Sequence, residues 1–505
     1  MTPVGFIDTT VRDGQASLWA MNMRTRHVLP AMPHLDAAGF DAIEFLAPGS
    51  RLKKFVRHLG ENPWDWIKLG AQQARNTQLR WHGAIDGASM SGTVPPEVGE
   101  LLIKKVVDLG IRFTRTGNNW NNYTNMGAEI ERFEGLGMTP VINVMYSVSP
   151  RHTDAYFIQK AKQAGALEPF RLCFKDVGGL LTPERTRKLL PEMMKVAGDI
   201  PWEFHGHCNN GLGPLNALES VKAGVRYVHT AVPPLANGNS QPSVYNVARN
   251  LRAMGYEPEV DEEALRPVTD HFTYIARREG FEEGTPLEYD QRLYSHQIPG
   301  GMISNLRYQL RLAGVEDRLQ ETLEETGRVR ADFGYPIMVT PLSQFVGSQA
   351  AINVIVGERY RQVTDQTIEY ALGVHGGDEA INSMDPEVRA KILDRPRARE
   401  LDTAKPPQPT LAELRRKYGS GVSDEDLILR AIVGDDATDV VGSAGQTRRD
   451  RVSGQPLVEL VRELSERDGH RFVSMRTGDL SLTIQKGSLG HERGHGATLT
   501  GGEDG

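Results

Sequence analysis

The sequence predicts an α/β fold: a (β/α)8 barrel followed by a mainly helical C-terminal domain. Three observations carry this. Over the first 255 or so residues a short apolar run, a polar or glycine-rich turn and an amphipathic helical stretch recur eight times. The apolar runs are continuous rather than alternating, as parallel strands covered on both faces require. No Gly-x-Gly-x-x-Gly turn follows the first run, so an open dinucleotide-binding sheet is the weaker reading, and eight units in this length fit a closed barrel.

The strands are expected at Val4–Asp13, Ala42–Ala47, Leu79–Asp86, Arg112–Gly117, Thr139–Ser147, Phe170–Gly178, Trp202–Asn209 and Tyr227–Pro233. Helical stretches between them include Pro95–Leu109, Asp154–Gly165, Pro183–Ala197 and Leu212–Ala223. Thr182-Pro183-Glu184 places an N-cap hydroxyl, an N1 proline and an early acid in the order that starts a helix. The barrel domain is set at 1–285. From Asp261 to about Gly434 the pattern is helix after helix, broken at Ile298-Pro299-Gly300-Gly301 and Thr340-Pro341, and a helical domain is set at 286–434. A linker (435–456), a small appended module (457–486; helix Leu457–Asp468, then a strand–turn–strand over Phe472–Ile484) and a disordered Gly- and His-rich tail (487–505) complete the division.

The 505 residues are ample for a large core, and 39% apolar with 24% charged residues is ordinary for a soluble enzyme. A formal charge of -7 gives no basic footprint for nucleic acid and no polybasic membrane patch. No apolar run reaches the length of a membrane span, and the N-terminus does not read as a signal peptide. The two cysteines, Cys173 and Cys208, have no paired spacing. A reducing, cytoplasmic setting is the expectation.

Active sites of such barrels lie at the C-terminal strand ends. Strand one is read as ending in Arg12-Asp13; strand four carries Arg115; strand six ends in Lys175-Asp176; strand seven ends in His205-Gly206-His207-Cys208-Asn209-Asn210. His205 and His207, two apart on a strand, point to one side, and with Asp13 they offer nitrogen and oxygen donors for a divalent ion such as zinc, manganese or cobalt. The plainer alternative is a histidine pair hydrogen-bonded at a strand end. Lys175 beside Asp176 reads most simply as a salt bridge. Arg12 and Arg115 either tie loops together or pair with a carboxylate substrate and its developing enolate.

These residues then become recognisable. Phe6-Ile-Asp-Thr-Thr-Val-Arg-Asp13, Leu172-Cys-Phe-Lys-Asp-Val-Gly-Gly-Leu-Leu181, His205-x-His207 and Ser240-Gln-Pro-Ser243 follow in order. So do Tyr294-Ser-His-Gln-Ile-Pro-Gly-Gly301, Asn305-Leu306, Val339-Thr-Pro341 and Lys417-Tyr-Gly…Ser423-Asp-Glu-Asp-Leu427. Together, over about residues 5 to 435, they resemble the carboxyltransferase domain of pyruvate carboxylase, the oxaloacetate decarboxylase alpha subunit and the transcarboxylase 5S subunit. The resemblance implies a divalent metal held by Asp13, His205, His207 and a carbamylated Lys175, which replaces the salt-bridge reading of that lysine. It also implies carboxyl transfer between the ureido nitrogen of biotin and a carbon next to a carbonyl, with Arg12 and Arg115 as substrate-binding arginines.

The sequence departs from that family in several places. The family's proton-relaying threonine falls on Asn239, whose amide cannot relay a proton as a hydroxyl does; Ser240 is the candidate substitute. The family glutamine after the Arg-Asp turn falls on Ala16, with Gln15 one place early. The stretch after Arg115 reads Thr116-Gly-Asn-Asn-Trp120, and the histidine loop reads His205-Gly-His-Cys-Asn-Asn-Gly211. A metal frame with altered surroundings implies an acceptor other than pyruvate. Met193-Met194-Lys195 lies in a helical stretch rather than a biotinylation hairpin, and no glycine-rich ATP-binding domain is evident. By resemblance, biotin arrives on a separate biotin carboxyl carrier protein, a biotin carboxylase subunit is the further partner, and a homodimer or larger complex is expected. Two rivals stay open: a metal-dependent condensing synthase or aldol-type lyase on the same barrel, and a non-catalytic partner-binding subunit.

Overall fold

The computed structural model describes residues 1–85, 94–298, 303, 306–307, 310–402, 408–435, 472–477, 480–485 and 497–501. Eight parallel strands close into a TIM barrel: β1 (Thr2–Asp8), β2 (Ala42–Leu46), β3 (Gln78–His82), β4 (Phe113–Thr116), β5 (Thr139–Met145), β6 (Arg171–Asp176), β7 (Trp202–Gly206) and β8 (Tyr227–Thr230). β1 closes the ring by pairing with β2 (Ile7 opposite Ala42) and with β8 (Gly5 opposite Tyr227). Strands such as β2 and β6 are buried throughout, which explains their continuous apolar character. A ninth strand, β9 (Tyr256–Glu259), pairs with the first half of β1 and was not expected from the sequence; it is short and only partly buried.

Several strand ends differ from expectation. β1 stops at Asp8, and Arg12 and Asp13 lie in the π-helical turn Thr10–Gly14 that follows. Four of that turn's five residues are as buried as a strand, so burial runs on past the true end of β1. Likewise β7 ends at Gly206, placing His207 in the loop just beyond it. Gly14 allows the turn to sit against the β8 loop, since a Cβ there would stand 2.8 Å from the Leu235 carbonyl.

The helices cover the barrel as the sequence suggests. Thr182 caps the helix Pro183–Ala197 by accepting from the Arg185 amide at 3.1 Å. That helix carries Met193, Met194 and Lys195. The barrel lumen, in contrast, is ionic. Near its N-terminal end Arg171 donates to Asp41 (2.6 Å) and Glu203 (3.2 Å), and Arg80 donates to Glu203 (2.8 and 3.1 Å).

Met1–Arg448 forms one compact unit, so the barrel and the helical region set at 286–434 are joined by contact rather than separated. The helical region has its own apolar core, including Ile298, Phe333, Phe345 and Tyr370, and it recruits Trp120 from the barrel. Its last helices, Leu411–Tyr418 and Asp424–Val433, pack back on the barrel core through Leu414, Leu427 and Ile428. Arg330 and Gln297 hold Ser147 and Val148, just beyond β5, so this region grips the C-terminal mouth. The motif at Pro299–Gly301 and Asn305 lies outside the described residues.

Arg449–Gly505 forms the second unit. β10 (Phe472–Thr477) and β11 (Leu480–Gln485) pair antiparallel over most of the expected strand–turn–strand; the turn itself, the linker and the helix expected at 457–468 lie outside the described residues. The tail expected to be disordered contributes β12 (Ala497–Gly501) on β11. Thr498 and Thr500 are β-branched and suit a strand. No helix among the described residues is long and apolar enough to cross a membrane.

Candidate functional site

The C-terminal mouth gathers side chains from the turn after β1, from β3, β6 and β7 and from the β8 loop, above Glu44 of β2 and Arg115 of β4. Lys175 and His205 are paired neighbours on β6 and β7, and their side chains therefore rise on the same side. The turn after β1 brings Asp13 across to them: its Oδ2 lies 3.0 Å from His205 Nε2 and 3.3 Å from His207 Nε2. Burial would raise the Asp13 carboxyl, but Arg12 and His207 outweigh it and hold it well below the usual carboxylate range. Burial and Arg115 push the His205 ring well below its ordinary value, so it stays neutral.

The donor set suits a divalent cation. Separations of 3.0 and 3.3 Å are those of adjacent ligands around an ion with bonds of about 2.1 Å. Gln241 adds a second indication. Its amide nitrogen lies 2.9 Å from Asp13 Oδ2, 3.3 Å from His205 Nε2 and 2.9 Å from His207 Nε2, so three lone pairs converge on one electropositive group. His207 Nδ1 donates to the Asn239 carbonyl at 2.6 Å, which leaves its Nε2 lone pair turned toward Asp13. Two further buried groups could be read as cation clusters, Glu44–His205–His229 and Cys173–Glu203–His229. Arginines already occupy their carboxylates.

Lys175 stands at the rim of this cage. Burial, with Arg115 and Arg12 adding to it, lowers its ammonium to about 7. A substantial neutral fraction at physiological pH is what a lysine needs in order to react as a nucleophile.

The two arginines share one carboxylate, Glu44. Arg115 is fully buried: it donates to Glu44 (2.5 and 3.1 Å) and Asn143 (2.9 Å), beneath the mouth rather than in it. Arg12 commits Nε and Nη2 to Glu44 (Nε at 2.9 Å) and Nη2 also to Asp13 at 3.1 Å. Both arginines therefore act first on Glu44. Burial would raise that carboxyl, but the two guanidiniums and His229 hold it well below its normal range.

Gln15 is buried, with Nε2 3.4 Å from the Arg12 carbonyl and Oε1 without a hydrogen-bond partner among the described residues. Ser240 is fully buried and its hydroxyl donates to Gln241 Oε1 at 3.3 Å. Asn239 contributes its carbonyl to His207, and its half-buried side chain lies in the loop beside the cage.

Five residues of this site were not assigned from the sequence: Glu44, His82, Glu203, His229 and Gln241. All but Gln241 are polar groups within apolar strands, and a charge inside a doubly covered strand demands a buried partner. That signal would have found Glu44 and Glu203. His82, at the end of β3, keeps a buried Nδ1 that has no hydrogen-bond partner among the described residues.

Known proteins share this sequence and architecture. A family described as conserved carboxylase domain matches residues 293–463, and one described as HMGL-like matches residues 118–271. A pyruvate carboxylase subunit of Methanocaldococcus jannaschii is 32% identical over 438 residues, 85% of this chain and 76% of that protein. The methylmalonyl-CoA carboxyltransferase 5S subunit of Propionibacterium freudenreichii subsp. shermanii is 28% identical, with 85% of each chain covered. The 2-oxoglutarate carboxylase large subunit of Hydrogenobacter thermophilus is 29% identical over 84% of this chain and 66% of that protein. The carboxyl transferase domain of Rhizobium etli pyruvate carboxylase, solved with pyruvate as its Y628A variant, superposes with a TM-score of 0.79 at 21% identity, covering 96% of this chain and 85% of that one.

Proposed function

We propose a reaction from this premise: the chain belongs to the carboxyltransferase family of the biotin-dependent carboxylases. As an enzyme of that family it moves a carboxyl group between the ureido nitrogen of biotin and a small carbonyl-containing acceptor. The matched length includes the helical region, which sets the chain apart from a condensing synthase or aldol-type lyase that shares only the barrel.

Within that activity, Asp13, His205 and His207 would hold a divalent metal, and Lys175 would join them after carbamylation, its neutral amine adding carbon dioxide and losing a proton to solvent to give a carboxylate-like ligand. Bound there, the metal supplies Lewis-acid stabilisation of the acceptor's carbonyl oxygen as negative charge develops on it. The chain's own residues do the rest. Arg12 and the more deeply buried Arg115 raise the positive potential around that oxygen. Lys175 and His82 line the mouth, and Gln15 and Asn239 are assigned to the acceptor's organic part. The acceptor is a 2-oxo acid, and the changed residues Ala16 and Asn239 favour one other than pyruvate. Biotin comes on a separate carrier protein, a biotin carboxylase subunit loads it, and the setting is cytoplasmic, in keeping with two free, buried cysteines.

The observation that carries this reading is the convergence of three ligand lone pairs on one point, with Lys175 on the strand beside His205. The test is exchange of labelled carboxylate between a biotinylated carrier and a panel of 2-oxo acids, with metal content measured on the same protein. Turnover with one acceptor, abolished by Lys175→Ala and by His207→Ala, is expected. Efficient turnover of pyruvate would overturn the acceptor assignment, and full metal occupancy with no exchange would overturn the mechanism.

A further inference from the structure

A line of hydrogen bonds runs up the barrel axis to His205. Glu203 accepts from Arg80 at 2.8 and 3.1 Å and from Arg171 at 3.2 Å, so both of its oxygens act as acceptors. His229 Nε2 stands 3.0 Å from Glu203 Oε2 and is therefore the nitrogen that donates. The other nitrogen of the His229 ring, Nδ1, then presents a lone pair, and it faces His205 Nδ1 at 3.1 Å. Both rings are buried to within 1% exposure, so water does not substitute for either partner.

To bind an ion through Nε2, His205 must carry its proton on Nδ1, and that proton requires an acceptor. The neighbouring Arg115 Nη2, 3.4 Å away, has only protons to offer. His207 solves the same problem with the Asn239 carbonyl. We propose that His229, oriented by Glu203, is a positioning residue that accepts the Nδ1–H of His205 and keeps the Nε2 lone pair of His205 turned toward the metal. This inference rests on the metal reading above and goes beyond it, because it assigns the means by which a ligand's tautomer is set.

The test uses the full-length protein stripped of metal, with Co2+ affinity measured by chelator competition and melting temperature recorded alongside. His229→Phe keeps the ring and removes the acceptor; His229→Asn retains an amide oxygen near the Nδ1 position. The Phe variant is expected to bind Co2+ about 10–100-fold more weakly, and the Asn variant to stay within about threefold of wild type, as an outer-sphere partner would require. In zinc-loaded wild type labelled with 15N-histidine, a nitrogen–nitrogen coupling between His205 and His229 is also expected, a readout that needs no variant to fold. Undiminished Co2+ affinity in the Phe variant, equal weakening in both variants in step with their melting temperatures, or absence of the coupling would each overturn the proposal. A wild type that binds Co2+ no better than His207→Ala would overturn the metal reading itself, and this inference with it.

Discussion

Glu44 lies between Arg12 and Arg115 in a lumen closed to solvent, where an unpaired charge is far more costly than a paired one. Glu44→Gln keeps the shape and removes the charge, leaving Arg115 as a buried cation. A loss of about 3–5 kcal/mol in urea unfolding is expected, large beside the total stability of most domains. The same residue shows where sequence reading stops. Asp13, Lys175, His205 and His207 could be read because each stands at a strand end, where polar residues announce a mouth. Glu44, Glu203 and His229 are single polar residues within apolar runs, and their partners lie far along the chain, 123 residues away for Arg80 and Glu203. No local pattern encodes that pairing.

At the scale of elements, all eight barrel strands were legible, whereas their ends were not. The turn Thr10–Gly14 is buried like a strand, and its hydrogen bonds reveal that β1 has ended. Helix starts were more legible because they depend on one side chain. Thr182→Ala, which removes the bond to the Arg185 amide, is expected to cost about 1 kcal/mol in thermal or urea unfolding. The loop after β5 makes a prediction about acid. Burial, with Arg330, Arg151 and Lys160 adding to it, lowers the His152 ring from 6.5 to about 3. On acidification the unfolded chain takes up this proton first. Stability is therefore unaffected by His152 above about pH 6.5 and falls by up to about 1.4 kcal/mol per pH unit below it. His152→Asn should remove that share of the slope between pH 6.5 and 4.5, measured as the difference from wild type in urea unfolding.

The barrel and the helical region behave as one body because each completes the other's core. Trp120 belongs to a barrel loop, yet it stacks near Tyr370 (6.3 Å between rings) and lies under Arg151 (4.9 Å). Trp120→Ala should cost about 3–5 kcal/mol, as for other large buried aromatics, and should lower a single melting transition rather than split it. Shortening the chain to end at residue 402 removes Leu427 and Ile428 from the barrel surface and is expected to give aggregation on size-exclusion chromatography, not a free-standing barrel. The sequence did not show this exchange of cores, since apolar faces on helices do not say which neighbour they meet.

Closure of the ring by its first and last strands has a consequence in time. Thr9 bonds to Thr230, 221 residues later, and β1 pairs with β8 along the same seam. At a synthesis rate of about 5–20 residues per second, that seam stays open for roughly 10–40 s after β1 leaves the ribosome. Through that interval one edge of an apolar strand has no partner to receive it, and the growing chain must be shielded from its neighbours until the last stave of the barrel is made.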